Sequence, residues 1–131
     1  MNRKNISSGA IWEDRVGYSR AVKIGNIIEV SGTTASDGDK IIGINDVYTQ
    51  TIYILNKIKS VIENEGCTMS DVIRTRLYVT DIESWQEVGR AHYQFFSEIK
   101  PATTMVEVNR LIHPDMLIEI EVTAIIDAQF H

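Results

Sequence analysis

Two segments in the last third of the chain place apolar and polar residues in alternation, Thr103 to Asn109 and Leu117 to Ala124. A period of two residues is typical of strands with one covered and one open face. The second segment carries Glu119 and Glu121 on the same face, because alternate residues of a strand share a side. An unpaired buried carboxylate is costly, so this face must meet water, a cleft or another subunit.

A helical period replaces the alternation in two other segments. The first is predicted to begin after Asp46, an N-cap, and to end near Glu65, where a glycine follows. The second is predicted from about Ile82 to Glu98, again after an aspartate that acts as a cap. Their apolar stripes comprise Tyr48, Ile52, Leu55, Ile58 and Ile62 in the first, and Trp85, Val88, His92, Phe95 and Ile99 in the second.

The remaining strands complete a two-layer plan. They are predicted at Tyr18 to Ile24, Asn26 to Ser31, Ile41 to Ile42 and Val72 to Thr80. The two amphipathic helices must then cover one face of a single mixed sheet, which is an α+β fold. On the strand from Val72, one face is predicted to hold Ile73, Thr75, Leu77 and Val79, and the other Arg74, Arg76 and Tyr78.

Three further expectations concern organisation. Residues 1–14 are mostly polar and are predicted to form a loosely held lead-in to a single domain that spans residues 1–131. Gly89 lies inside the second helix, where glycine costs about 1 kcal/mol relative to alanine. We therefore expect another element or another chain to approach closely at Gly89.

Composition narrows the classes of partner. With 44% hydrophobic and 24% charged residues, the chain has the composition of an ordinary globular protein. It shows no apolar run of membrane-spanning length and no signal-peptide pattern, so we expect a cytoplasmic protein without a membrane partner. The formal net charge of −5 offers no basic footprint, which weighs against nucleic acid as a partner.

The cysteine and histidines give no metal or cofactor motif. Cys67 is the single cysteine, which excludes an intrachain disulfide, and we interpret it as a packed small residue. His92 lies on a helix stripe and is interpreted as a packing residue, His113 lies in a proline-containing turn, and His131 ends the chain. No pair has metal-ligand spacing, so we predict neither a metal nor a cofactor.

Several short motifs together resemble those of a known family. Pro101 to Leu111 reads P-A-x-x-x-V-E-V-x-R-L, and I-E-I-E follows from Ile118. With the upstream matches, the chain from Val16 to Asp127 resembles the RidA/YjgF family of reactive-intermediate deaminases, also labelled L-PSP endoribonucleases. The upstream matches are Gly17-Tyr18, Val30-Ser31-Gly32, Gly66 followed by Asp71-Val72, and Tyr78-Val79-Thr80-Asp81. The resemblance implies a chorismate-mutase-like fold and a homotrimer with small-metabolite clefts between neighbouring subunits.

The resemblance also implies a set of site residues. Glu119 matches the family glutamate that orients or activates water when an imine is hydrolysed to a keto acid and ammonia. The implied substrate-binding residues are Tyr18, Ser31, Gly32, Thr103, Met105 and Arg90. Met105 stands where other members often have cysteine. Burial in a cleft should raise the pKa of Glu119, and Glu121, one pleat along, should raise it further if it points the same way.

Thr103 departs from the family pattern, in which an arginine at this position binds the substrate carboxylate. Threonine has no charge and one donor, so it does not replace a guanidinium. We therefore expect either a substrate other than a standard 2-imino acid, or another cation in the cleft, supplied by Arg76, Arg90 or Arg110.

Three functions stay open at this stage. The first is hydrolysis of an imine or enamine, the second a non-catalytic trimer that binds or senses a metabolite, and the third, disfavoured by charge, an endoribonuclease. Glu119 itself is interpreted either as a water-activating group or as a structural carboxylate. Tyr18 is either a ligand contact or a packed ring.

Overall fold

A computed structural model describes residues 2–127 and has a six-stranded sheet at its centre. Two short strands form a separate ribbon, and three helices complete the fold. The strands are β1 (Arg3–Ile6), β2 (Ala21–Ile24), β3 (Ile27–Thr33), β4 (Ser36–Asp37), β5 (Lys40–Ile41), β6 (Val72–Val79), β7 (Ala102–Glu107) and β8 (Ile118–Ile125). The helices are α1 (Ile11–Val16), α2 (Val47–Glu63) and α3 (Trp85–Phe96).

The main sheet has the order β1-β2-β3-β8-β6-β7. Its pairs are antiparallel except β6 with β7, which is parallel. The sheet is therefore mixed, and α2 and α3 pack against each other and cover one of its faces. The predicted α+β architecture is confirmed. None of the helices within residues 2–127 is long and apolar enough to cross a bilayer.

The core lies between α2 and the central strands. Ile54, Leu55, Ile58 and Ile62 of α2 are fully buried, and so are the alternate residues of β8 from Ile118 to Ala124. Burying an aliphatic side chain of this size contributes about 1.5–3 kcal/mol, so this layer stabilises the whole sheet. The predicted stripe of α2 is confirmed in its central and last turns, and Asp46 caps the helix by accepting a hydrogen bond from the Thr49 amide at 3.0 Å.

The second long helix differs from its prediction at both ends. It begins at Trp85, after a single 3₁₀ turn (Ile82–Ser84) that Asp81 caps, and it ends at Phe96. Trp85 was placed in the buried stripe, but the prediction is wrong, because 54% of its surface is exposed at the first residue of the helix. The buried residues of α3 are Val88, Ala91 and Phe96.

The segment predicted as a loosely held lead-in contains two elements. Strand β1 pairs along its whole length with β2, from Arg3 opposite Ile24 to Ile6 opposite Ala21. In α1, Glu13 is buried and accepts hydrogen bonds from the Ser7 hydroxyl at 3.0 Å and the Ser8 amide at 3.2 Å. Both elements are short, and α1 buries Glu13 while its apolar residues Ile11, Trp12 and Val16 are exposed. Main-chain pairing and the hydrogen bonds of Glu13 therefore hold them, without a buried apolar period that the sequence could reveal.

Two irregularities in strand pairing alter which residues face the core. Between Val72 and Arg74 the register with β8 shifts, and Ile73 is 39% exposed. The prediction that Ile73 faces the core is therefore wrong, because a bulge inserts one residue and reverses the side of its neighbours. The second register shift, between Val30 and Thr33 of β3, lies at the site described below.

Gly89 and Cys67 can also be compared with their predictions. Within the described chain, no atom lies within 4 Å of the position that a Cβ would take on Gly89, so no element of the same chain approaches it. The expectation for Cys67 is confirmed, since it is buried in the core. Desolvation, with a contribution from Asp71, raises the pKa of its thiol to about 12, which leaves it unreactive at neutral pH.

Candidate functional site

Glu119 lies in the middle of β8, on the sheet face opposite the helices. It stands across from Tyr78 of β6 and next to the bulge of β3. A Cβ built on Gly32 would lie 2.1 Å from Glu119 Oε2, a distance that no real contact allows. The Glu119 carboxylate thus occupies the space of the missing side chain at position 32, and any larger residue there would displace it. The structure confirms that these two predicted residues are in contact.

The electrostatic environment of Glu119 favours its protonated form. Desolvation raises the pKa of its carboxyl group, the negative charge of Glu121 raises it further, and the positive charge of Arg20 partly opposes the shift. Across residues 2–127, we find no hydrogen bond or ion pair to the Glu119 carboxylate. Glu119 is therefore a half-buried acid that is available for proton transfer and not engaged in a structural pair.

Glu121 occupies the same face one pleat along but is engaged. The Tyr78 hydroxyl donates a hydrogen bond of 2.5 Å to Glu121 Oε1. This bond is the first cause that raises the pKa of the Tyr78 hydroxyl, since ionisation would break it. Arg76 lies directly across from Glu121 in the register of β6 and β8. Glu121 thus has a partner, and its charge acts on Glu119.

Arg20 is a residue of this site that the sequence analysis did not identify. Its Nη2 donates to the Gly32 carbonyl at 2.6 Å, and its Nε is buried without a partner in the described part of the chain. Arg20 is the cation whose charge lowers the pKa of Glu119. It differs from the three candidates that were expected to bind a substrate carboxylate, Arg76, Arg90 and Arg110. The signal in the sequence was its position two residues after Tyr18, directly before β2.

A second cation, Lys57 of α2, lies close to Arg20. Its Nζ donates to the carbonyls of Thr34 and Ser36, at 3.1 and 2.9 Å, and so fixes the loop that follows the β3 bulge. Desolvation lowers the pKa of Lys57, and the charge of Arg20 lowers it further. The two cations thus both bind main-chain carbonyls of the segment from Gly32 to Ser36.

Tyr18 and Ser31 line an adjoining recess of about 600 Å³. The Tyr18 side chain is 40% exposed, so it is not a packed core ring. The Ser31 hydroxyl donates to the Ser19 carbonyl at 2.6 Å, which joins the segment before β2 to the bulge of β3. These two predicted residues therefore lie on the same side of the molecule as Gly32.

Thr103 and Met105 lie elsewhere. In the parallel pair of β6 and β7, Thr103 is opposite Thr75 and Met105 is opposite Leu77. Thr75 and Leu77 are buried beneath the helices, so Thr103 and Met105 point toward the helical side, away from Glu119. Met105 packs partly buried against the core, which is consistent with a wall residue.

Arg90 lies at a third place, on the outer surface of the helical layer. Its guanidinium is 5.0 Å from the centre of the Tyr48 ring, a cation–π contact. The two residues line an open recess of about 560 Å³ together with Trp85, Gly89 and Tyr93. Within one chain, the predicted site residues therefore fall into three groups: Glu119 with Gly32, Ser31 and Tyr18; Thr103 with Met105; and Arg90 alone.

The histidines have structural contacts in this chain. His92 Nε2 lies 3.0 Å from the Thr75 hydroxyl, and its ring packs 4.6 Å from that of Phe96, so its interpretation as a packing residue is confirmed. His113 Nδ1 accepts a hydrogen bond from the Asp115 amide in the turn before β8. His131 lies outside the described residues. In residues 2–127, no cluster of three or more potential ligands could hold a metal ion.

Comparison with known proteins agrees with this fold. The family profile described as Endoribonuclease L-PSP matches residues 11–126. A crystal structure of a YjgF-family protein from Mycobacterium tuberculosis is 46% identical, with a TM-score of 0.87 over 95% of this chain and 100% of the other. An uncharacterized protein of Streptomyces coelicolor is 36% identical over 92% of this chain and 90% of its own length.

A further relative carries a functional name. The 3-aminoacrylate deaminase RutC of Acinetobacter baylyi is 32% identical over 79% of this chain and 82% of its own length. The fold, an α+β chain with one mixed sheet and an acidic cleft residue on its open face, defines a class of small chorismate-mutase-like proteins. This chain belongs to the RidA/YjgF family within that class.

Proposed function

We propose that this protein hydrolyses an imine or enamine to a carbonyl compound and ammonia, and that Glu119 is its catalytic acid–base. One observation carries the proposal: the Glu119 carboxylate lies over Gly32, half-buried, with a raised pKa and no partner among residues 2–127. A carboxyl group whose pKa approaches the working pH transfers protons in both directions most efficiently.

The reaction needs one group that first accepts and then donates a proton. Ionised Glu119 takes a proton from water while the water oxygen bonds to the carbon of the C=N group. The protonated carboxyl group then gives that proton to the nitrogen, which yields a carbinolamine. Glu119 next takes the proton of the carbinolamine hydroxyl and passes it to the nitrogen, the C–N bond breaks, and ammonia leaves as the carbonyl forms. Overall, imine and water yield carbonyl and ammonia, with Glu119 unchanged. An enamine first takes a proton on carbon and becomes the imine.

Arg20 adjusts this group. Its charge lowers the pKa of Glu119 and so opposes the rise caused by desolvation and by the repulsion of Glu121. Its hydrogen bond to the Gly32 carbonyl holds the bulge that makes room for the carboxylate. Arg20 is thus a positioning and tuning residue for Glu119 rather than a replacement for the carboxylate clamp at Thr103.

A homotrimer completes the proposed site. Glu119 and Thr103 point to opposite sides of the sheet in one chain, so only a neighbouring subunit could bring a second Thr103 to the cleft of the first. The uncovered face and edges of the sheet also expose Ile24, Ile27 and Val106, at 37%, 42% and 41%. Exposed apolar side chains of this kind are typical of an interaction surface. Light scattering on the purified protein tests this directly, and a monomer would contradict the intersubunit cleft.

The decisive experiment measures ammonia release from a panel of imines that an amino-acid oxidase generates in situ. Wild type is compared with Glu119→Gln and with the matched control Glu121→Gln, on the same strand and face. We expect wild type and Glu121→Gln to release ammonia and Glu119→Gln to be inactive. Equal activity of wild type and Glu119→Gln would refute the proposal.

The threonine at position 103 supports one alternative function, in which a trimer of Thr103-containing subunits binds a metabolite without converting it. The charged group that grips a 2-imino acid in the family is absent at this position. Thr103→Arg separates the two functions. Activity gained by this variant over a silent wild type would show a competent acid–base in a cleft adapted to another ligand, whereas silence of both would favour the binding protein. The net charge of −5 still disfavours ribonuclease activity.

A further inference from the structure

A chain of hydrogen bonds leads from the helical layer to the surface at β7 and takes no part in the chemistry of Glu119. His92 Nε2 lies 3.0 Å from Thr75 Oγ1, which lies 2.8 Å from Thr103 Oγ1. The Thr103 hydroxyl also lies 3.1 Å from the Pro101 carbonyl oxygen, to which it donates. Thr75 is fully buried, whereas Thr103 is exposed at the edge of the sheet.

Only one placement of protons satisfies all three contacts together. The Pro101 carbonyl can only accept, so the single hydroxyl proton of Thr103 points to it. Thr75 must then donate its own proton to Thr103. The Thr75 oxygen then accepts a hydrogen bond from His92. His92 therefore carries its proton on Nε2.

His92 is suited to fix this direction because it is neutral. Burial lowers its pKa, and its ring packs against Phe96. A neutral imidazole has one N–H, so a proton on Nε2 leaves Nδ1 without one. Since Thr75 is buried, water does not compete for its hydroxyl group. A proton donated by His92 Nε2 therefore makes Thr75 the donor in its hydrogen bond to Thr103.

We propose that His92, acting through Thr75, is a positioning residue that presents Thr103 to the ligand as a hydrogen-bond acceptor. The hydroxyl oxygen of Thr103 has two lone pairs, and Thr75 occupies one of them. The other faces the exposed side of β7. The ligand group bound there then carries an N–H or O–H donor, as in an amide, amine or alcohol, and not a carboxylate. This assignment of ligand class rests on the proposed function, whereas the proton placement does not.

A carboxylate is disfavoured at this position for a specific reason. Two acceptors would face each other unless Thr103 turned its proton away from Pro101. That rotation exchanges the hydrogen bond to Pro101 for one to the carboxylate, whereas an N–H or O–H donor adds a hydrogen bond and leaves the one to Pro101 in place, which corresponds to about a 3- to 10-fold gain of affinity. The threonine therefore does more than remove a charge, because it also reverses the hydrogen-bonding polarity of the position.

The first test reads the proton placement on the unmodified full chain. Nitrogen-15 NMR of the imidazole rings at neutral pH distinguishes an N–H nitrogen from a bare one, and His92→Gln identifies the His92 signals by their loss. We expect Nε2 to be protonated and Nδ1 bare. A proton on Nδ1 alone, or on both nitrogens, would overturn the proposal.

The second test reads the ligand class through three 2-oxo compounds that resemble products: pyruvamide, methyl pyruvate and pyruvate. We expect pyruvamide, which has N–H donors, to bind about 3- to 10-fold more tightly than methyl pyruvate and more tightly than pyruvate. Thr103→Val should abolish this order. His92→Gln should retain it, because the carboxamide N–H can donate to Thr75, and His92→Phe should lose it.

The outcomes separate this inference from the proposed function. Tightest binding of pyruvate by wild type, or no binding of any of the three compounds, would overturn the assigned ligand class. Ammonia release by wild type with the wrong tautomer of His92 would overturn the positioning role and leave the deaminase intact. The expected tautomer and the expected order of binding without ammonia release would support the inference and refute the proposed hydrolysis alone.

Discussion

Two carboxylates on one strand of this protein have opposite environments. Glu119 and Glu121 share a strand and a face, two residues apart, yet Glu121 accepts a short hydrogen bond from Tyr78 and Glu119 lies unpartnered over Gly32. The difference comes from the neighbouring strands, because β6 supplies a hydroxyl to one and the bulged β3 supplies a space to the other. Identical side chains thus acquire different hydrogen bonding and different electrostatic environments from what lies beside them.

The largest expected effect separates the two carboxylates by activity. Glu119→Gln should lower the rate of ammonia release by about 100-fold or more, the scale of a lost general acid–base. Glu121→Gln should leave most of the activity, since it retains a group that can bond with Tyr78. Similar losses in both variants would contradict the division of roles.

The same substitution also tests the raised pKa of Glu119 through stability. The folded state holds a proton on Glu119 at pH values where the unfolded chain has lost it, so this group lowers stability as pH rises through that interval. Glu119→Gln should therefore gain stability relative to wild type above the ordinary carboxyl range, and the gain should vanish in acid. Urea unfolding at several pH values measures it. A pH-independent difference would argue against the shift.

The next test removes the space beside Glu119. Gly32→Ala places a Cβ where Oε2 now lies, so the carboxylate or the bulge must move. Because the clash is with the end of a flexible side chain, we expect a stability loss of about 1 kcal/mol or less, the low end of overpacking, together with loss of activity. Gly89→Ala is the matched control, because nothing in the described chain lies near its Cβ and alanine favours a helix by about 1 kcal/mol. Equal tolerance of both alanines would show that Gly32 is not required.

A smaller effect is expected from Arg20, which acts on Glu119 through its charge. Arg20→Gln removes the charge that lowers the pKa of Glu119, so this pKa should rise. In a plot of activity against pH, the rise that follows the ionisation of Glu119 should then move to higher pH. Arg20→Lys keeps the positive charge but loses the several N–H donors of the planar guanidinium. The pH dependence of its activity should stay closer to that of wild type. An unmoved profile in Arg20→Gln would exclude the tuning role.

The smallest effect concerns the engaged carboxylate. Tyr78→Phe removes the donor to Glu121 and should cost about 1 kcal/mol of stability, the value of a partly exposed hydrogen bond. Activity should change little, because Glu119 keeps its place over Gly32. Chemical unfolding and ammonia release together check this, and a loss of activity as large as that of Glu119→Gln would make Tyr78 part of the chemistry.

Much of the fold could be predicted because its elements are long and periodic. The alternation in β8 and the helical spacing in α2 identified the layers, and the motifs around Pro101 and Ile118 indicated the family. The missed elements, β1 and α1, are short and have no buried apolar stripe. They depend on main-chain pairing with β2 and on the hydrogen bonds that Glu13 accepts. Local sequence patterns carry little information about such contacts.

The candidate site was predicted less completely than the fold. Glu119 and Gly32 were identified through the family resemblance and do touch. Arg20 was missed because its role depends on a register shift in β3, which no local pattern reveals. Thr103 was identified by position, but its hydrogen bond to Thr75 arises only from the parallel pairing of β6 with β7.

The sequence by itself determined the layers, the open face that carries Glu119 and the family, because those follow from side-chain period and motif order. Tertiary structure alone decided which carboxylate is free, which arginine acts on it and how His92 is joined to Thr103. The physical reason is that a pKa and a hydrogen-bond direction depend on groups within a few ångströms. Those groups come from residues as far apart in the chain as Arg20 and Glu119.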